Sequence, residues 1–108
     1  MRRREDFRRL RESGRTFRHA LFNLSIVPNE IDHNRYGYIT GKILGKAVER
    51  NRVRRLLREA VRLHQDRVMP GFDVLLIARP AAAGRSLQEF VVTLESLFRQ
   101  SGIMKAEA

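Results

Sequence analysis

Hydrophobic residues recur along the chain with two different periods, and the switches between them mark the elements. Residues 4–13 contain no breaker and place Phe7 and Leu10 three apart. That spacing predicts a short helix ending before Gly14. From residue 17 to 27 (FRHALFNLSIV), Phe22, Leu24 and Ile26 alternate, as in a strand. The polar stretch from Pro28 to Asn34 reads as a turn. Residues 35–44 (RYGYITGKIL) predict a second strand, broken or bent near Gly41. Gly45 then leads into a long helix from about Ala47 to about Arg67, roughly 30 Å at 1.5 Å per residue. Its buried stripe is Val53, Leu56, Leu57, Ala60, Val61 and His64. Pro70 and Gly71 interrupt the chain, and the apolar run 73–79 (DVLLIAR) predicts a strand covered on both faces. After a loop from Pro80 to Arg85, Ser86 and Glu89 have capping-box spacing. Leu87, Phe90, Val91, Leu94, Leu97 and Phe98 then mark an amphipathic last helix, with a tail expected to fray from Ser101.

The order of helix, strands, long helix, strand and helix predicts an α/β sandwich built on one sheet. A strand, helix and strand in succession allow a crossover between parallel strands, and general rules favour a right-handed one. A length of 108 residues fits a single small domain, 1–108, and 43% hydrophobic residues suffice for a small core. No apolar run approaches membrane-spanning length, and no apolar stretch follows the basic N-terminus to make a signal peptide. Cys is absent, which excludes disulfides, thiolate metal sites and Cys nucleophiles. A soluble, cytoplasmic protein without a membrane partner is expected.

Charge changes the picture most. The 22 Lys and Arg exceed the 12 Asp and Glu by ten. Two segments carry the excess: residues 1–18 hold eight Arg against three acids, and residues 42–67 hold nine basic residues against three acids. Only three of the 22 are Lys, and Arg offers a planar fork suited to phosphate. At about 100° per residue, the arc of the long helix opposite its apolar stripe collects Asn51, Arg52, Arg54, Arg55, Arg58 and Arg62. Between positions 50 and 62, six Arg face only Glu59, with Glu49 just before them. A solvated helix face normally carries both signs, so this one predicts contact with a nucleic-acid backbone. Electrostatics leaves open whether the partner is RNA or DNA.

Other candidates for chemistry are sparse. His19, His33 and His64 show no metal-ligand spacing, and His64 falls on the apolar stripe as a packed residue. Tyr36 and Tyr38 alternate along a strand, as cleft or core residues. The adjacent acids Glu5 and Asp6 could hold Mg²⁺ through water or could simply favour a helix N-terminus. Gly41-Lys42 lacks the rest of a phosphate-loop pattern. A protein nuclease would need clustered acids, or His with acids, and none are grouped so in the sequence. No helix-turn-helix spacing supports DNA binding.

Gly45, Ala47, Val48, Arg50, Asn51, Arg52, Arg54, Arg55 and Arg58, with Lys42 ahead of them, resemble the RNR signature of the bacterial ribonuclease P protein subunit. Glu5, Asp6 and Phe7 resemble that family's E-D-F element, and Ile77, Ala78, Arg79 and Pro80 its I-A-R strand end. The resemblance implies a two-layer α/β sandwich of the α+β class, like the second domain of ribosomal protein S5. Its sheet would have four strands, with three main helices and a left-handed βαβ crossover. It implies a subunit of the endoribonuclease that removes the 5′ leader of precursor tRNA. The chemistry and most of the Mg²⁺ would belong to the RNA subunit, so no catalytic or metal-ligating residue is expected here, and no obligatory protein partner. The RNA subunit would be met by Lys46, Arg50, Asn51, Arg52, Arg54, Arg55, Arg58 and Arg62. The leader would lie in a cleft with Phe7, Arg11, Lys42 and Arg50. Phe7 could instead be a core residue paired with Leu10. The family often has aromatics where this chain has Arg11 and Ser25, a basic residue at Ile43 and a small hydroxyl residue at Gly41. Arg11 could stack through its guanidinium plane. The alternative is a non-catalytic RNA-binding module, such as a ribosome-associated protein.

Overall fold

Two central strands, both largely apolar, organise the molecule. The computed structural model describes residues 4–105, apart from the side chains of Asp6, Phe7 and Arg11. Its elements are α1 (Arg4–Ser13), β1 (Arg15–Arg18), β2 (Phe22–Pro28), β3 (Arg35–Ile39), α2 (Ala47–His64), β4 (Phe72–Ala78) and α3 (Leu87–Ser101). Short 3₁₀ turns follow β3, α2 and β4. The four strands form one mixed sheet in the order β1-β2-β4-β3. β2 pairs antiparallel with both neighbours, and β3 runs parallel to β4, so α2 is the crossover between adjacent strands.

The period-2 pattern divides the central strands between two faces. Phe22, Leu24 and Ile26 of β2 and Val74, Leu76 and Ala78 of β4 form the main core with α2 and α3. Those helices contribute Val53, Leu57, Ala60 and Val61, and Phe90, Leu94, Leu97 and Phe98. Phe22 and Phe90 meet edge to face, with ring centroids 4.8 Å apart. On the other face, Leu10 of α1 packs with Val27, Leu75 and Ile77. The sheet and the α2–α3 layer are thus the two principal layers, and α1 covers part of the remaining sheet face. Gly14 ends α1 where its N–H reaches Leu10 O at 3.0 Å, and a Cβ there would lie 2.3 Å from that oxygen.

Three local expectations change. Residues 17–27 are two strands rather than one, because His19 N–H donates to Phe22 O at 2.9 Å and folds the chain into a hairpin. The second expected strand stops at Ile39, and Lys42–Leu44 form a 3₁₀ turn instead. Residues 101–105 do not fray. Gly102 takes the left-handed conformation, the chain turns inward, and Ile103 is buried. Met69 N–H donates to Ile103 O at 2.7 Å, and Lys105 N–H donates to Arg67 O at 2.6 Å. Ser86 caps α3 as expected, its Oγ accepting from Glu89 N–H at 3.2 Å.

Candidate nucleic-acid interface

The long helix presents its arginines in three directions. Val53, Leu57, Ala60, Val61 and His64 face the core, which orients the rest. Arg50, Arg54 and Arg58 follow one another at four-residue spacing. Arg54 and Arg58 face β3 and its end. The Arg54 Nη2 donates to Thr40 Oγ1 at 2.6 Å, and its Nη1 donates to Asn51 Oδ1 at 3.3 Å. The Arg58 guanidinium lies 5.7 Å from the Tyr38 ring centre, a cation–π contact. Burial pushes the Tyr38 hydroxyl up to about 12, Tyr36 adding to the shift and Arg58 opposing it. Arg50 is half-buried, and its Nε has no hydrogen-bond partner among the described residues.

Arg52 points the other way. Its Nη2 donates to Arg85 O at 2.8 Å, and its Nη1 lies 3.3 Å from Glu49 Oε1. The same Glu49 oxygen accepts from Gly84 N–H at 3.0 Å, so this pair ties α2 to the loop before α3. Asn51, Arg55 and Arg62 face outward and are exposed. Arg62 is held by Glu59, which accepts from its Nη2 at 2.6 Å and its Nε at 3.0 Å. Arg55 forms no hydrogen bond or ion pair among the described residues. Lys46 is exposed at the helix start, and Lys42 is exposed on the preceding turn. Gly45, at φ 109°, makes the sharp change of direction between that turn and α2.

The expected single arc of phosphate-facing residues is therefore divided. Arg55, Lys42 and Lys46 are available cations, whereas Arg52, Arg54 and Arg62 already have acceptors within the fold. Helical spacing places Glu59 beside Arg62 but could not single out Arg52 and Arg54, whose acceptors Arg85 O and Thr40 lie 33 and 14 residues away.

Beside α1, part of the second sheet face stays open. Strand register aligns Arg18, Asn23, Ile77 and Ile39 in one row across all four strands. Thr16 and Ser25 belong to the next row, where their hydroxyls lie 2.9 Å apart. Ser25 is buried. Among the described residues, Asn23 Oδ1 has no hydrogen-bond partner. The chain leaves Ile39 at the end of β3, passes through Lys42 and enters α2, which carries Arg50. Residues 7 and 11 lie one turn apart on α1, but the Phe7 and Arg11 side chains lie outside the described residues, as do Arg2 and Arg3.

What fixes α1 over this face was not visible in the sequence. Asp73, on β4, is wholly buried. It accepts from Arg35 Nε at 2.8 Å, Arg35 Nη2 at 2.6 Å and Asn29 Nδ2 at 3.1 Å, and it pairs with Arg9 of α1. Burial raises the Asp73 pKa, but the hydrogen bonds from Arg35 and Asn29 and the charges of Arg35 and Arg9 outweigh it. The net shift is downward. His64 is buried, with Nε2 2.8 Å from Val91 O and its ring in a T-shaped contact with Phe98. His33 is exposed beside Asp32, and the Tyr36 hydroxyl accepts from Asn34. Among the described residues, no three His, Asp or Glu side chains gather where they could hold a metal ion. Glu5 is exposed on α1, and the Asp6 side chain lies outside the described residues. No helix among the described residues is long and apolar enough to cross a membrane.

A basic crossover helix beside a partly open sheet face defines a nucleic-acid-binding protein of the α+β class. The family model described as ribonuclease P matches residues 1–102. The ribonuclease P protein component of Herpetosiphon aurantiacus is 47% identical over 92 residues, spanning 82% of this chain and 75% of that protein. That of Chloroflexus aggregans is 41% identical over 105 residues, covering 96% and 78%. The Staphylococcus aureus RNase P protein superposes with a TM-score of 0.88 at 28% identity, over 97% of this chain and 96% of that one. The Thermotoga maritima protein gives 0.85 at 25% identity, over 93% and 94%. The chain belongs to the ribonuclease P protein family, whose members are RNA-binding subunits of the tRNA-processing endoribonuclease.

Proposed function

We propose that this subunit binds the ribonuclease P RNA through the outward part of α2 and receives the 5′ leader of precursor tRNA on the open sheet face. The observation that carries this reading is the placement of unpaired cations. Arg55 is exposed on α2, Lys46 at its start, and Lys42 on the turn that joins it to β3, the strand carrying Ile39 of the Arg18–Asn23–Ile77–Ile39 row. Each phosphate such a cation neutralises releases condensed counterions, which favours packing one RNA against another. A single strand lying on the sheet face would meet cations at both ends, Arg18 on β1 and Lys42 beyond β3. Asn51 and Arg58 widen the RNA-subunit contact, while Arg52, Arg54 and Arg62 hold its shape through their own partners. Arg50, Phe7 and Arg11 complete the leader cleft.

On this reading the hydrolysis is performed by the RNA subunit in the cytoplasm, with Mg²⁺ held mainly by RNA. The protein supplies charge and position. A ribosome-associated role has no comparable support from the chain's relatives. The test combines the purified protein with a bacterial ribonuclease P RNA and a precursor tRNA at low Mg²⁺. Leader removal should rise well above that of RNA alone, with no cutting by protein alone. No stimulation in a folded, RNA-binding sample would overturn the proposal, and so would cutting by the protein alone.

A further inference from the structure

We propose that Asp73 is a positioning residue for the leader cleft, acting through Arg9 to hold α1 at a fixed height above the open sheet face. This rests on the leader reading given above. Asp73 is in β4, Arg35 in the neighbouring strand β3, and Asn29 in the loop after β2. Those contacts are internal to the sheet and its loop. Arg9 differs, because it crosses from α1 to the same carboxylate, and its Nη1 also approaches Pro28 O at 3.5 Å. Leu10 is the other anchor, buried against Val27 and Leu75. Helical periodicity puts positions 7 and 11 on the flank away from Arg9, with Leu10 between. A bridge on one flank and a packed residue beneath fix both the roll and the height of α1. Those two quantities decide how far positions 7 and 11 stand from Ser25, Asn23 and Ile77. A helix of 10 residues is too short to hold this position by its own stability.

Among the described residues, the other ion pair of α1 does not have this property. Arg8 pairs with Glu12 on the same helix, and both are exposed. Arg8→Ala therefore removes the same charge as Arg9→Ala without releasing the helix from the sheet. Arg9 is itself only half-buried, so its loss leaves the Asp73–Arg35–Asn29 cluster and the core in place.

The experiment uses the holoenzyme reconstituted with wild-type, Arg9→Ala, Arg9→Lys and Arg8→Ala protein. It measures affinity for precursor tRNA, for mature tRNA and for the RNA subunit, and the cleavage rate at saturating holoenzyme. Arg9→Ala should weaken precursor tRNA roughly tenfold, the scale of one lost charge-assisted contact. Mature tRNA affinity, RNA-subunit affinity and the saturated rate should stay as in wild type. Arg9→Lys should recover most of the loss, since an ammonium can still reach Asp73. Amide exchange in α1 should quicken in Arg9→Ala, with α2 and α3 unchanged. Unchanged precursor affinity, an equal loss on mature tRNA, or an equal effect in Arg8→Ala would overturn the proposal. If wild type itself fails to stimulate the RNA, the leader reading fails, and accelerated exchange in α1 alone would still identify Arg9 as its anchor.

Discussion

Arg54 reaches back from the long helix to the buried hydroxyl of Thr40, 2.6 Å away at the end of β3. One of the signature arginines is therefore a brace between the helix and the sheet. Its neighbour Arg55, one residue on, is exposed and forms no such bond. Arg54→Ala should lower the folding stability by about 1–2 kcal/mol, because a charge-assisted bond is lost and Thr40 stays buried. Arg55→Ala should change stability by less than about 0.5 kcal/mol. Chemical denaturation of the two variants in parallel checks this, and equal losses would mean that Arg54 is not a brace.

The same pair predicts a contrast in RNA binding. Arg55→Ala should reduce the slope of log affinity for the RNA subunit against log salt by roughly one unit, the signature of one lost phosphate contact. Arg62→Ala should reduce it less, because Glu59 already neutralises that guanidinium. Titrations at several salt concentrations read both slopes. An unchanged slope in Arg55→Ala would place this residue away from the RNA.

Acid should expose the Asp73 cluster. Its carboxyl titrates below the ordinary value of 3.8 in the fold: burial acts upward, but Arg35, Asn29 and Arg9 act more strongly downward. A depressed folded pKa contributes stability that is complete above the unfolded pKa and is lost as pH falls through the folded one. Wild type should therefore lose stability more steeply below about pH 4 than Asp73→Asn does. Near neutral pH, Asp73→Asn should be the less stable protein. Its cost should fall below the roughly 3–5 kcal/mol of a fully buried pair, because Arg9 and Arg35 both reach solvent. Denaturation midpoints from pH 2 to 7 decide this, and parallel acid limbs would show that Asp73 does not titrate as described.

Much of this architecture is legible in the sequence because it follows local period. The stripe Val53–Leu57–Ala60–Val61–His64, the apolar run of β4 and the Ser86 cap are each contained within a few turns of chain. The first hairpin is hidden for a physical reason. Its turn, Ala20-Leu21, contains no Gly, Pro or Asn, and Leu21 is buried, so apolar residues run through the bend. The basic helix is equally half-legible. Its charge shows in the residues, but the division between braces and free cations depends on Thr40 and the Arg85 carbonyl, which only the fold brings close. Asp73 shows no sign of its role, since its partners Arg9, Asn29 and Arg35 are 64, 44 and 38 residues away.

Ser101 ends α3 and Gly102 reverses the backbone, after which a polar tail would ordinarily be loose. Here Ile103 is 1% exposed and belongs to the main core, while its carbonyl accepts from Met69 N–H. Met104 bridges to Val68, and Lys105 bonds back to Arg67. This short pairing closes the α2–β4 connection against the end of α3. Ile103→Ala should cost about 2–4 kcal/mol, the range for a large aliphatic side chain removed from a packed site. Met104→Ala, which is only half-buried, should cost less than Ile103→Ala does. Thermal melts of both variants without RNA check the order. Equal melting temperatures for Ile103→Ala and wild type would mean that the tail is loose in solution and that α3 ends the fold.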